Sequence, residues 1–314
     1  MSLTSTLQGK TEKDKKFQDI IKTIINPRPS FTTVSGKKAF SAEYEELVPY
    51  SLSNPYYATL VGVGFDYLAR FIVANKIKNT NSKRSAVNNL VAGNGLKRLE
   101  KITEKRLYDE LDKKYKNSVK MCEGFVNDGK SNLDEMLYIA GYLASLEIVA
   151  RSGMPPQDIK KSLIVDTDIE VINDLRILCN LFENIFISSG ILNENSSVIF
   201  NPRFGIVSMH CGGADADIFI DGTLYDFKCT KSKGYNWSDC AQIVGYYLLN
   251  IIDIRCGGHG IGIDEYGDEY SIDRLAFYRS RYGEIENLEV ELLGENKVEQ
   301  GIEEIRKLWG LKFI

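Results

Sequence analysis

The stretch Gly213-Ala214-Asp215-Ala216-Asp217-Ile218-Phe219-Ile220-Asp221-Gly222-Thr223-Leu224-Tyr225-Asp226-Phe227-Lys228 holds two short apolar runs joined by Asp-Gly. A two-residue hairpin turn needs φ > 0 at both central positions, and Asp221-Gly222 suits it. Counting outward from the turn pairs Ile220 with Thr223, Phe219 with Leu224, Ile218 with Tyr225 and Asp217 with Asp226. One further step of two places Asp215 opposite Lys228. Side chains alternate faces along a strand, so Asp215, Asp217, Asp226 and Lys228 share one face. Phe219 and Leu224 continue that face toward the turn, while Ile218, Ile220, Tyr225 and Phe227 line the other.

Directly opposed carboxylates are costly. At roughly 5 Å and an effective dielectric of about 20, they repel by about 3 kcal/mol. A shared proton, neighbouring cations or a metal ion relieves that repulsion. Asp, hairpin, Asp-x-Lys suits the metal: hard oxygen ligands on adjacent strands hold Mg²⁺, with the lysine beside an attacking water or a developing phosphate charge. A surface hairpin with a merely charged outer face would carry a similar composition without chemistry.

The stretch resembles the core of the PD-(D/E)XK nuclease superfamily, with Asp217 as the first acid, Asp226 as the second and Lys228 as the lysine. Ala216 stands where the name-giving proline would be. A second motif follows. Trp237 to Leu249 reads as a helix with Ser238 as N-cap, a buried stripe of Ala241, Val244, Leu248 and Ile252, and Gln242 and Tyr246 at i, i+4. This is similar to the Gln-x-x-x-Tyr helix that RecB-like members carry after the lysine strand. Leu60 to Phe71 resembles their early helix more loosely, with Asp66 where a metal-binding histidine would fall; Asp66 could equally pair with Arg70 on a solvated face.

The resemblance implies a mixed central β-sheet flanked by helices, a restriction-endonuclease-like α/β core, here with a largely helical N-terminal half. It implies a phosphodiesterase acting on DNA with Mg²⁺, for which Mn²⁺ substitutes, and products ending in 5′-phosphate. Asp217, Asp226, the Phe227 carbonyl and Asp66 are the implied ligands. Lys228, Gln242 and Tyr246 complete the catalytic set, and Asp215 is an outer acid or the Lys228 partner. The rival expectation is an inactive nuclease-fold protein serving as a nucleic-acid-binding or assembly module. A G-x-x-x-x-G-K-[S/T] phosphate loop is absent, which disfavours a nucleotide-binding enzyme.

Composition fits this frame. The chain has 314 residues, is 43% hydrophobic and 26% charged, and carries a net charge of −4. Such values describe an ordinary globular protein, and no uninterrupted apolar run approaches the roughly 18 residues of a membrane span. A cytoplasmic protein with no membrane partner is the expectation. Six scattered cysteines lack a C-x-x-C pair, so no iron–sulfur cluster is expected, and two histidines argue against a His-rich zinc centre. Net charge hides a basic segment: residues 76–120 hold thirteen Lys or Arg against five Asp or Glu. Within it Lys97, Arg98, Lys101, Lys105 and Arg106 are expected on one side of a helix near 97–116, though Glu100, Glu104, Asp109 and Glu110 interleave with them as on a solvated helix. Lys97, Arg98, Lys101 and Lys105, with Lys231 and Lys233, are candidate phosphate contacts.

Residues 1–30, polar and ending at Pro27-Arg28-Pro29, read as a loosely held arm; 31–186 as mainly helical; and 187–314 as the nuclease-like core. Helices are expected over 57–77, from about Ser131 to Gly153, from a Thr167–Glu170 capping box to Phe186, and from about 297. The stretch 78–84 is expected to be a break. Strands are expected near 197–200, 206–209, 215–220, 223–229, 272–279 and 287–293. The sequence is silent on oligomeric state.

Overall fold

The Asp221-Gly222 turn closes as its composition requires, with φ of 42° and 84°. Its strands pair Ile218 with Tyr225, Phe219 with Leu224 and Ile220 with Thr223. The ladder stops there. Asp217, one residue further out, turns its carboxylate onto the Phe227 backbone amide, which donates to Oδ2 at 2.6 Å. Asp215 therefore does not reach the position opposite Lys228; its backbone bridges Arg203 instead.

The computed structural model describes residues 3–25, 29–88, 90–128, 132–263 and 267–314. Among them, β1 (Thr32–Thr33), β2 (Val198–Phe200), β3 (Ile218–Ile220), β4 (Thr223–Lys228), β5 (Arg274–Arg279) and β6 (Glu284–Glu289) form one mixed sheet, ordered β1-β6-β5-β4-β3-β2. The central pair β4–β5 is parallel and the other neighbours are antiparallel. The helices are α1 (Leu3–Thr6), α2 (Glu12–Ile25), α3 (Pro55–Lys76), α4 (Thr80–Val87), α5 (Val91–Glu100), α6 (Lys105–Asp128), α7 (Leu133–Ser152), α8 (Ile169–Ile185), α9 (Trp237–Arg255) and α10 (Glu295–Trp309). Helix α9 lies in the crossover between the two parallel strands, as a parallel connection demands.

Each sheet face has its own helical cover. Ile218, Ile220, Tyr225, Phe227 and Tyr278 pack against a core built largely from α3 to α8. Phe219, Leu224, Leu275, Phe277 and Leu288 pack against α1, α2, α9 and α10. The period-two alternation of β4 thus serves two apolar layers, with the charged pair Asp226 and Lys228 at the end of one stripe. Helix α3 has the length and hydropathy of a membrane span. Leu60, Val61, Phe65, Leu68, Phe71 and Ile72 are buried within the protein, so its composition is that of a core helix.

Several expectations change. Residues 3–25 are not a loose arm: Phe17, Ile20, Ile21, Ile24 and Ile25 form a buried stripe on α2, and Phe17 stacks on Trp309 at 5.1 Å. Lysines on the opposite face had masked that stripe. Pro27, Arg28 and Ser131 lie outside the described residues. The expected break at 78–84 holds the first part of α4, capped by the Asn79 side chain, which accepts from the Ser82 amide. The helix over 97–116 is two helices, because Lys101–Glu104 form a turn between α5 and α6. The strand near 206–209 is a 3₁₀ turn over Ile206–Cys211, bracketed by Gly205 and Gly212 at positive φ. Caps shift by a residue or two: Asn236 rather than Ser238 opens α9, and Asp168 rather than Thr167 opens α8. Helix α7 carries a full capping box, Asn132 with Glu135, and ends at left-handed Gly153.

Helices α5 and α7 meet where Gly95 faces the α7 backbone; a Cβ there would lie 1.9 Å from the Leu146 carbonyl oxygen. Gly95→Ala must push the helices apart and is expected to destabilise the fold by at least about 1–3 kcal/mol, measured by urea unfolding. Wild-type stability in that variant would show that the contact is not as close as described.

Candidate active site

The sheet's alternation, one crossover helix and two helices of the α3–α8 layer converge on a cavity of about 300 Å³. Strand β4 supplies Asp226 and Lys228, the segment entering β3 supplies Asp215 and Asp217, and α9 supplies Gln242 and Tyr246. Helix α3 adds Asp66, and α7 adds Glu147 and Arg151. A smaller hollow shared with Arg70 and Asn201 lies next to it.

Lys228 organises one wall. Its ammonium forms a buried ion pair with Asp226 Oδ2 at 2.6 Å. The same ammonium donates to Gln242 Oε1 at 3.2 Å, and Gln242 Nε2 donates to the Tyr246 hydroxyl at 2.8 Å. The i, i+4 spacing on α9 thus places amide and phenol in line with the lysine. Tyr246 is held by stacking on Phe204 at 5.3 Å. Behind Lys228, Asp239 lies 3.8 Å away and is itself 3.6 Å from Arg279, whose Nε donates to buried Glu286 at 2.8 Å.

The electrostatics point one way. Five carboxylates, those of Asp66, Glu147, Asp215, Asp217 and Asp226, face three cations, Arg70, Arg151 and Lys228, across the two hollows. Burial and the neighbouring Asp226 raise the Asp217 pKa from 3.8 to about 7. Burial, with Asp217 and Glu147 nearby, pushes Asp66 well up. Burial also raises Asp226, against the pull of Lys228. Burial alone would lower Lys228, but Asp226 and Asp239 outweigh it and hold the ammonium protonated. Five carboxylates against three cations leave two acids without a counter-charge, so protons compete for them in the cation-free site, and these all-oxygen donors fit one hard divalent cation in their place. Among the described residues no three His, Cys, Asp or Glu side chains form a ready-made ligand cluster, so holding a cation requires these side chains to move together.

Not every expected residue joins. Asp215 lines the cavity but pairs with Arg151, its Oδ2 lying 3.5 Å from Nη2, and not with Lys228. Lys231 lies over the Tyr50 ring at 5.1 Å and Lys233 over Tyr282 at 5.5 Å, neither lining the cavity. Lys97, Arg98, Lys101 and Lys105 are exposed and split between the end of α5 and the start of α6, away from the cavity lining. Conversely, Glu147, Arg151 and Asp239 were not among the expected site residues. The signal for the first two was an acid inside the apolar run of α7 with an arginine four residues on. A roomier cavity of about 620 Å³, lined by His210, Asp253 and the 256–260 glycine loop, holds none of the expected site residues. No protein-family model, curated protein or solved structure matches the chain.

Because the folded Asp217 binds its proton more tightly than an unfolded aspartate, this group lowers stability as pH rises from about 4 through 7. Metal-free Asp217→Asn is therefore expected to be more stable than wild type at pH 8, by about 1–3 kcal/mol, with the difference fading below about pH 4. Denaturant unfolding at several pH values in a chelator checks this; a variant less stable at pH 8 would contradict it.

Proposed function

We propose that the chain is a divalent-cation-dependent nuclease hydrolysing phosphodiester bonds in DNA, on a restriction-endonuclease-like core with a RecB-like helix α9. The observation that carries this reading is the joining of Asp226, Lys228, Gln242 and Tyr246 in one connected chain beside Asp217, with more carboxylates than cations lining the same cavity. Asp217, Asp226, Asp66 and the Phe227 carbonyl would hold the cation. Bound there, Mg²⁺ or Mn²⁺ supplies charge for a phosphoryl oxygen and lowers the pKa of water.

The residues define the rest. Lys228 stays protonated, so it serves as a donor: it offsets charge growing on the scissile phosphate and orients water, and it is not the base that removes water's proton. Gln242 fixes the direction of the ammonium. The Tyr246 hydroxyl accepts from Gln242, and burial raises its pKa well above the ordinary value, leaving its own proton available to a phosphate oxygen. Asp239 balances the Lys228 charge from behind and is itself paired with Arg279. A cytoplasmic location belongs to the same reading.

Linear, circular and single-stranded DNA incubated with Mg²⁺ or Mn²⁺ tests the proposal. Wild type should cut, and Lys228→Ala and Asp226→Asn should each lose at least about 100-fold in rate. Folded wild type that cuts nothing with either cation would refute the enzyme and favour the inactive nucleic-acid-binding or assembly module; undiminished cutting by the variants would refute the residue assignment.

A further inference from the structure

Arg151, in the last turn of α7, is held through a relay of hydrogen bonds that reaches two other helices. Its Nε donates to Glu147 Oε1 at 2.7 Å, and the other oxygen of that buried carboxylate accepts from the Tyr67 hydroxyl at 2.5 Å. Tyr67 is fixed in turn, its oxygen accepting from the Ala92 amide at 3.2 Å. Three helices therefore lock one edge of the guanidinium. The side chain remains 53% exposed, and its Nη edge faces the cavity with only a loose contact to Asp215 at 3.5 Å. An i, i+4 pair made merely for the helix would not need its carboxylate anchored from two further helices, as Tyr67 and Ala92 anchor Glu147.

We infer that Arg151 is a substrate-binding residue that grips a phosphodiester group of the nucleic acid, with Glu147 as its positioning residue. This rests on the nuclease reading of the same cavity. Guanidinium presents parallel N–H groups that match two phosphate oxygens, and pre-orientation by Glu147 reduces the entropy lost on binding. Lys228 and Arg151 both line the cavity, on β4 and α7, so a strand lying in it meets a donor from each of the two elements. Asp215 acts as the resident partner of the Nη edge, displaced when phosphate arrives.

Binding and turnover separate this inference from the reading beneath it. In a Lys228→Ala background, binding of a labelled oligonucleotide is measured against KCl concentration with and without Arg151→Gln, which keeps a donor for Glu147 but removes the charge. Loss of one phosphate contact lowers the slope of log K against log salt by about 0.7 for a single strand or 0.9 for a duplex. With Lys228 restored, Arg151→Gln should raise KM about tenfold, the greater part of its loss falling on KM. Glu147→Ala should move KM the same way and add little in the double variant. If Arg151→Gln fails to fold, Arg151→Lys takes its place: it keeps the charge but not the fork, and weaker binding with an additive Glu147→Ala effect would overturn the inference, whereas non-additivity supports it. An unchanged salt slope and KM in a folded variant also overturn it. A wild type that neither binds nor cuts nucleic acid sinks the nuclease reading itself.

Discussion

Two carboxylates fixed on one hairpin, Asp217 on the Phe227 amide and Asp226 beside Lys228, are the constraint around which the rest is arranged. Neither can swing into water: one is tied to the backbone and the other is almost fully buried. Their mutual repulsion has to be met locally, and the surrounding elements each meet part of it. Strand β4 brings Lys228, the α9 crossover brings the amide that aims it, and α3 and α7 bring further acids together with arginines. What remains is a set of closely packed acids with raised pKa values, a poor arrangement for stability alone and a suitable one for a hard cation.

The scaffold that holds this arrangement is itself charged inside. Arg281 on the turn between β5 and β6 makes a two-pronged pair with Asp174 on α8, at 3.0 and 2.6 Å, and also donates to the Cys229 carbonyl just beyond Lys228. Arg279 joins Glu286, which also accepts from Tyr44 and from the Phe40 amide. Such buried pairs add little net stability compared with apolar packing, but removing one partner leaves a stranded charge. Here they tie the end of β4 to both helical layers, so the position of Lys228 is set by long-range contacts as well as by its own strand.

Local rules made the centre of the site legible. Period-two alternation and the Asp-Gly turn gave the β3–β4 register, and helical spacing put Gln242 and Tyr246 on one face of α9. The same rules failed where tertiary contacts decide. Asp215 was carried past the end of the ladder, because nothing in alternation says where pairing stops. The α2 stripe was hidden by interleaved lysines, and the basic segment divided at Lys101–Glu104, where a turn redirects half of its charge. Glu147 and Arg151 become neighbours of Asp217 only through the packing of α7 on α3 and α5, which no spacing within one helix reveals.

Whether the carboxylate cavity takes up a divalent cation is read most directly from Mn²⁺ binding, followed by electron paramagnetic resonance or calorimetry on the chelator-treated protein. Saturable binding of at least one Mn²⁺ per chain, competed by Mg²⁺ and lost in Asp226→Asn and Asp217→Asn, is expected of a cation site built on these two acids. No saturable binding at millimolar Mn²⁺, or binding indifferent to both substitutions, would contradict it.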